Sequence, residues 1–165
     1  MARLELLVYP DTRLRRVAEP VDRFDEALRA FVGALEETMR AGPAAVGIAA
    51  PQVGCARRIV IVDASSRPKV RHHGRLVLVN PRITAREDAI VAREGCLSVP
   101  DYTGNVERAG RIVLEAHDEY GEERRYEMEG FEARVAQHEI DHLDGFLFID
   151  RLVSRRDLFR RRPSG

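Results

Sequence analysis

Two histidines and a glutamate near the end of the chain have the spacing of a metal-dependent hydrolytic site. His138, Glu139 and His142 form the pattern H-E-x-x-H. On a helix, residues four apart lie on one face, so both imidazoles can reach the same metal ion. The glutamate between them can then act as general acid and base on a water held by that metal. The alternative is an exposed helix in which two histidines fall at this spacing by chance.

The third protein ligand of such a metal site has to come from elsewhere in the chain. Gly145 matches the glycine of an extended zinc-protease motif, but Phe148 occupies the position of that motif's third histidine. No glutamate or histidine follows His142. Three aspartates remain as alternatives: Asp144, Asp150 and Asp157. Cys96 is the better candidate, because it lies in the turn-rich segment Glu94–Pro100 and a cysteine with two histidines is a known catalytic metal set.

A third segment, residues 45–54, combines two glycines and a proline with small apolar residues and a single amide, Gln52. This composition predicts a tight loop that enters the core. Taken alone, the segment favours a structural role, with Gln52 satisfied as a loop amide.

In their order and spacing, the three segments resemble the motifs of the peptide deformylase family. That family is marked by G-φ-G-φ-A-A-P-Q, E-G-C-L-S and Q-H-E-x-D-H, and this sequence has A-V-G-I-A-A-P-Q, E-G-C-L-S and Q-H-E-I-D-H. The resemblance extends from Pro10 to Leu152. Two departures are Ala45, in place of the first glycine, and Thr103, where many members have an arginine that helps to hold the peptide. Both bear on substrate affinity and neither on the metal ligands.

The resemblance implies hydrolysis of the formyl group from N-formylmethionine at the start of new polypeptides, with release of formate. It implies one divalent metal ion, with Fe(II) favoured in the cell and Zn, Ni or Co able to substitute. The implied ligands are Cys96, His138 and His142. Glu139 would move the protons, while the amide of Gln52 and the backbone N–H of Leu97 would stabilise the tetrahedral oxyanion.

The substrate-binding positions implied by the resemblance come from three segments: Val46, Gly47, Ile48, Glu94, Gly95, Phe131 and Val135. The bulky residues at 46, 131 and 135 would form an apolar pocket for the methionine side chain, although they also fit an ordinary core. The small residues Gly47, Ala49 and Ala50 favour a tight site that would exclude an acetyl group. Extended backbone near Gly47 could pair with the substrate as an added strand.

Length, charge and cysteine usage indicate a single-domain soluble protein. The 165 residues predict one catalytic domain over 1–150 and a short basic tail over 151–165. The formal net charge is zero, which gives no support to a general nucleic-acid role. Two cysteines, Cys55 and Cys96, are too few for a disulfide framework. Neither a signal peptide nor a membrane-length apolar run is found, so a cytoplasmic protein without a membrane partner is expected.

The hydrophobic pattern predicts an α+β fold in which antiparallel sheets pack around a central C-terminal helix that carries the H-E-x-x-H motif. Helices are predicted over residues 24–41 and 131–143. Strands are predicted at 59–62 and at 83–93. Two hairpins are predicted, one joining 69–72 to 75–80 and one joining 112–116 to 122–127. Three histidines outside the motif are not expected to be ligands: His72, His73 and His117. His72 and His73 lie at the first hairpin and are expected to be solvated, whereas His117 lies near the end of a strand.

The segment from Arg151 to Gly165 is strongly basic, with six arginines against one aspartate and a local charge of +5. Such a block is commonly a solvated end. The functional alternative is that its arginines bind phosphates of ribosomal RNA. Some deformylases use their C-terminal segment for ribosome contact, so the resemblance supports this alternative.

Two other functions fit parts of the pattern. A zinc peptidase is supported by H-E-x-x-H alone, but the downstream third ligand is missing. A non-catalytic peptide-binding relative would need no metal chemistry. The second alternative is disfavoured because the catalytic set is present: Gln52, Cys96, His138, Glu139 and His142.

Overall fold

A computed structural model describes residues 4–161. The two helices within this range are α1, Glu26–Ala41, and α2, Gly130–Leu143. The strands are β1, Gly47–Ala49; β2, Ile59–Asp63; β3, Arg75–Cys96; β4, Val99–His117; β5, Glu123–Glu129; and β6, Leu158–Arg160. Short 3₁₀ helices occupy Thr12–Arg15, Ala50–Val53, Phe148–Asp150 and Arg155–Asp157.

The strands form one antiparallel sheet in the order β1-β2-β3-β4-β5, with β6 paired to β4. The largest part of the sheet is the long hairpin of β3 and β4, whose register shifts near Ile83 and again between Gly95 and Cys96. The predicted α+β class with antiparallel strands is therefore confirmed. One correction applies: the strands of the described residues join in a single continuous sheet, not in separate sheets.

The two helices pack on opposite sides of β2, because successive residues of a strand point to opposite faces. Ile59 and Ile61 belong to the cluster that includes α1, whereas Val60 and Val62 belong to the cluster that includes α2. All of β2 is buried as a result. Helix α2 is buried along most of its length. Its central place in the fold brings the H-E-x-x-H residues into the interior.

Helix α1 begins and ends close to the predicted bounds. The side chain of Asp25 accepts a hydrogen bond of 3.0 Å from the N–H of Leu28, which caps the first turn. Gly42 follows the last turn, before Pro43. The buried face of the helix carries Leu28, Val32, Leu35 and Met39, as its periodicity predicts.

The first predicted hairpin is wrong, whereas the second is confirmed. Lys69–His72 is not a strand, and residues 75–79 pair instead with β2, Val79 lying opposite Ile59. The preceding loop is held to α2, since the backbone N–H of His73 donates to Glu132 at 2.7 Å and its Nδ1 lies 2.6 Å from the same carboxylate. His73 is exposed, as predicted, and in addition its ring hydrogen-bonds to the buried Glu132. The second hairpin is formed by β4 and β5, with Gly121 in its turn at φ 84°.

The described part of the basic C-terminal segment, up to residue 161, lies along β4. Leu158 pairs with Gly104 and Arg160 with Tyr102. A Cβ atom at Gly104 would lie 2.9 Å from the carbonyl oxygen of Asp157, so the glycine permits this close packing. The four residues from 162 lie outside the described range. The predicted division of the chain at residue 150 stays a prediction.

None of the helices formed by residues 4–161 combines the length and apolar character that a membrane span requires.

Candidate active site

Cys96, His138 and His142 come together in the interior. Their ligand atoms lie within 4.8 Å of one another, and all three side chains are buried. The Sγ of Cys96 is 3.5 Å from Nε2 of His142. Ligands of a tetrahedral site lie about 2.0–2.3 Å from the metal, and hence roughly 3.5 Å from each other. The donor set and its spacing therefore fit a divalent metal ion.

The elements that position these ligands are the end of β3 and the middle of α2. Cys96 follows the register shift that ends the β3–β4 pairing, and the two histidines lie one helical turn apart with ring centroids separated by 5.2 Å. Phe148, at the position of the third histidine in the extended motif, is fully buried and stacks near His138 at 6.4 Å. It forms part of the wall around the site.

The aspartates left open as third ligands are engaged elsewhere. Asp144 pairs with Arg58, Asp150 with Arg15, and Asp157 accepts from the side chain of Asn105. Within residues 4–161, the cysteine and two histidines are the one group with metal-ligand geometry.

The carboxylate of Glu94 fixes the orientation of the His138 ring. Its Oε1 lies 2.9 Å from Nδ1 of His138, so that nitrogen donates and Nε2 is left free for a metal. Arg108 and Arg134 donate to the same carboxylate at 3.0 and 2.6 Å. Burial alone would raise the pKa of Glu94, but hydrogen bonds from His138 and Arg108 hold it well below the usual value. The predicted substrate-binding role of Glu94 stays a prediction, and its carboxylate is already shared among three protein groups.

Replacement of Glu94 by glutamine is expected to destabilise the fold by about 3 kcal/mol or more. The variant leaves two buried guanidinium groups, Arg108 and Arg134, without their shared counter-charge. Denaturant unfolding of the wild type and variant measures the loss. Glu87→Gln, at an exposed position of the same strand, is the matched control and should change the free energy of unfolding by less than about 0.5 kcal/mol. Equal effects of the two replacements would contradict this account of the carboxylate.

The surroundings of the two histidines differ in charge. Burial would lower the pKa of His138, but the sulfur of Cys96 and the carboxylate of Glu94 raise it well above the usual value. Burial lowers the pKa of His142 and so favours its neutral form. The negative groups around His138 favour positive charge there, and a metal bound at that position would displace the ring proton. His142 is already neutral and can donate a lone pair.

Glu139 is buried with an unsatisfied carboxylate oxygen. Among residues 4–161, Oε1 has no hydrogen-bond partner, and it lies 4.0 Å from Nε2 of His142. Burial raises the pKa of the carboxyl to about 7, although positive charge at His138 acts in the opposite direction. A carboxyl with these properties is suited to take up and return a proton near neutral pH.

Gly47 brings the backbone of β1 against this carboxylate. A Cβ atom at Gly47 would lie 2.7 Å from Oε2 of Glu139 and 2.8 Å from Cγ1 of Val135. Real side chains do not tolerate such distances, so the close approach of β1 to α2 depends on glycine. The site therefore has little spare room beside Glu139.

Gln52 directs its amide nitrogen toward the ligand group. Its Oε1 accepts the N–H of Ala49 at 2.9 Å, which assigns the other end of the amide as Nε2. That nitrogen donates to Oγ of Ser98 at 3.0 Å and lies 3.7 Å from Sγ of Cys96. Gln52 is thus both a satisfied loop amide and a donor placed beside the ligands. Leu97 follows Cys96 in the β3–β4 turn and lines the same space.

A cavity of about 1280 Å³ joins these groups. Most of the predicted site residues line it: Val46, Gly47, Gln52, Glu94, Gly95, Cys96, Leu97, Phe131, Val135, His138 and Glu139. Two do not. His142 is fully buried behind the other ligands, and the side chain of Ile48 packs in the α1 cluster. A substrate-binding role of Ile48 would therefore have to use its backbone.

Several residues at the site were not anticipated from the sequence. Arg134 lies one helical turn before His138, a spacing that could have drawn attention to it. Arg108 comes from β4, and no local pattern marks it. Arg67 lies over the ring of Phe131 with its Cζ 4.7 Å from the ring centroid. Arg160 and Arg161 of the basic segment also line the cavity.

Comparisons with known proteins agree on one family. A family model described as polypeptide deformylase matches residues 3–157. A peptide deformylase of Thermodesulfovibrio yellowstonii is 40% identical over 98% of this chain and 97% of its own length. One from Alkalilimnicola ehrlichii is 45% identical over 98% and 89%. A crystal structure of a class I type b peptide deformylase from Acinetobacter baumannii, with Met-Ala-Ser bound, is 35% identical with a TM-score of 0.83 and covers 92% of this chain and all of its own.

Proposed function

Because this chain belongs to the peptide deformylase family, we propose that it hydrolyses the formyl group from N-formylmethionine at the start of newly made polypeptides and releases formate. The observation that carries this proposal is the juxtaposition of a buried Cys-His-His group with the unsatisfied carboxylate of Glu139 in one cleft. Such substrates arise at the ribosome, so we expect the enzyme to act in the cytoplasm.

Cys96, His138 and His142 are the proposed ligands of one divalent cation. A bound cation would supply a Lewis acid and lower the pKa of a water molecule. We propose Fe(II) as the cellular metal, with Zn, Ni or Co able to replace it, because the family favours Fe(II). One thiolate with two imidazoles suits zinc or ferrous iron and does not by itself select between them. The hydrogen bond from His138 to Glu94 supports the assignment, since metal-binding histidines commonly donate their second nitrogen to a carboxylate.

Glu139, Gln52 and Leu97 are the proposed catalytic groups. Glu139 takes a proton from the attacking water as the new C–O bond forms at the formyl carbon. The amide of Gln52 and the N–H of Leu97 donate hydrogen bonds to the formyl oxygen as negative charge develops there. When the C–N bond breaks, Glu139 returns its proton to the departing amine. Formate and a free N-terminal methionine are the products.

The peptide is proposed to lie against β1 with its methionine side chain between Val46, Phe131 and Val135. Strand β1 is the last strand of the sheet and pairs with β2 on one edge only within the described residues. Its other edge borders the cleft, where an extended peptide can add as a further strand. The backbone of Gly47, Ile48 and Gly95 is the proposed partner of the peptide backbone.

Formate release from formyl-Met-Ala-Ser, measured with the anaerobically purified protein, tests the proposed function. Mass spectrometry of the products separates the alternatives. A mass loss of the formyl group alone supports a deformylase. Cleavage of a peptide bond would indicate a zinc peptidase, and an unchanged peptide with metal-loaded protein would indicate a non-catalytic relative.

Specificity for formyl over acetyl is a further expected result. A single Cβ at Gly47 would already collide with Glu139, and we infer that the same crowding beside Glu139 excludes the extra methyl of an acetyl group. We expect kcat/KM for acetyl-Met-Ala-Ser to be lower by about 10²-fold or more. Release of formate and acetate from the two matched peptides measures the ratio. Comparable values would refute the tight site.

The basic C-terminal segment is proposed to contact the ribosome. Arg155 and Arg156 are exposed and have no ion-pair partner among residues 4–161, so they are available for RNA phosphates. A double replacement of both by glutamate should weaken co-sedimentation with ribosomes about tenfold and leave short-peptide turnover unchanged. The matched control replaces Arg86 and Arg125, two exposed arginines of β3 and β5, by glutamate. Equal co-sedimentation of both double variants would contradict the proposal.

A further inference from the structure

The C-terminal strand brings two guanidinium groups to the rim of the active-site cleft. Arg160 and Arg161 line the same cavity as Cys96 and Glu139. The side chain of Arg161 reaches over Gly95, since a Cβ atom there would lie 2.5 Å from its Nη2. Gly95 is the residue directly before the proposed metal ligand Cys96. A positive charge therefore lies at the end of the cleft next to the reaction centre.

The segment that carries Arg161 is anchored at several points. The N–H of Arg161 donates to the carbonyl oxygen of Asp101 at 2.7 Å, directly after the β6–β4 pairing. The guanidinium of Arg93 stacks on the ring of Phe159 at 4.0 Å, which joins β6 to the end of β3. Asn105 also holds the segment, donating to Asp157 at 2.9 Å. The backbone of Arg161 is thus held in place beside the cleft.

The guanidinium of Arg161 has no carboxylate partner within residues 4–161. Glu94, the nearest acid along β3, is already shared by His138, Arg108 and Arg134. Asp101 lines the cavity but makes no ion pair in the described part of the chain. With Arg67 and Arg93 also at the rim, the cleft presents more cationic than anionic side chains to an incoming peptide.

We propose that Arg161 is a substrate-positioning residue that binds a carboxylate of the peptide, two or more residues after the methionine. The inference rests on the proposed function. If the formyl group lies at Cys96 and Glu139, a peptide whose backbone pairs with Gly95 passes under the guanidinium of Arg161 beyond the methionine. An arginine fork binds a carboxylate with two parallel hydrogen bonds, and no other common peptide group matches it so well. The carboxylate is either an acidic side chain or the free C-terminus of a short peptide.

The test compares matched peptides on the metal-loaded enzyme and its Arg161→Ala variant. One pair is formyl-Met-Ala-Ser with a free C-terminus and its C-terminal amide. The other pair is formyl-Met-Ala-Asp amide and formyl-Met-Ala-Asn amide. We expect the variant to raise KM about fivefold for an anionic peptide and to leave kcat unchanged, the effect of an ion pair at a partly exposed rim. The neutral partner of that pair should change less than twofold.

Three controls separate positioning from a structural effect. Arg161→Lys keeps the charge and should bring KM for the anionic peptide back close to the wild-type value. Arg156→Ala removes a charge from the same segment at a residue that does not line the cavity, and should behave as the wild type. For the peptide pair that shows the selective effect, equilibrium binding of the deformylated anionic product to the metal-loaded enzyme should weaken about fivefold with Arg161→Ala, and binding of the neutral product should not.

The peptide pair in which KM rises for the anionic member alone identifies the bound carboxylate as a C-terminus or a side chain. An equal rise in KM for anionic and neutral peptides with Arg161→Ala, or the same rise with Arg156→Ala, would overturn the proposal. A wild-type enzyme that releases no formate from any of the four peptides would instead refute the proposed function, so the two failures are distinguishable.

Discussion

Replacement of Glu139 by glutamine will leave the metal bound and lower kcat by about 10²–10⁴-fold or more. The carboxylate lies 4.0 Å from Nε2 of His142 and has an oxygen without a protein partner among residues 4–161. It is thus placed to exchange protons rather than to complete the ligand set. Glutamine keeps the shape of the side chain but cannot accept and return a proton.

Metal content and formate release, measured on the same preparation, decide this prediction. Glu107→Gln is the control, because that residue is exposed on β4 and does not line the cavity. Loss of the metal from the Glu139 variant would show that the carboxylate is a ligand. Retained activity would show that another group transfers the proton.

Replacement of Cys96 by alanine will release or strongly weaken the metal and abolish formate release with it. The sulfur of Cys96 is one of three buried ligand atoms that lie within 4.8 Å of one another, and the remaining two imidazoles leave the coordination incomplete. The side chain that Cys96 loses is small, so the fold itself should survive. Elemental analysis after dialysis, together with the circular dichroism of the variant, measures both effects.

Cys55→Ser is the matched control for the cysteine prediction. Cys55 packs against the α1 cluster, and burial raises the pKa of its thiol, which therefore stays protonated and binds metal poorly. This variant should keep both metal and activity. If the two replacements exchanged their outcomes, the ligand assignment would be wrong.

Local patterns carry their information over one or two turns of chain, and they predicted both helices and the second hairpin correctly. The spacing of His138 and His142 places both on one face of α2, since helical geometry alone brings residues i and i+4 together. The apolar period of α1 and its cap at Asp25 are equally local. The hairpin of β4 and β5 follows from Gly121 and its flanking strands.

The hairpin expected around Gly74 failed because strand partners depend on the whole chain. Residues 75–79 pair with β2, the preceding strand, across the loop 64–74, since that pairing buries Val77 and Val79 against α1. The strand then continues through Pro81 with a register shift between Val79 and Arg82, which accommodates a residue that cannot donate to the ladder. A local signal for a turn was outweighed by burial of apolar surface.

The sequence by itself identified the residues of the candidate site: its motifs contain a cysteine, two histidines, a glutamate and a glutamine, because residue type and spacing are short-range properties. Tertiary structure decided what surrounds them. It brought Arg108 from β4 and Arg134 from α2 onto Glu94, beneath His138. It also folded a basic segment back onto β4 and placed Arg161 over the cleft. Local composition predicts that a run of arginines is a solvated end. The pairing that orders this segment joins residues more than fifty positions apart, and no local pattern predicts the register of such a long-range pairing.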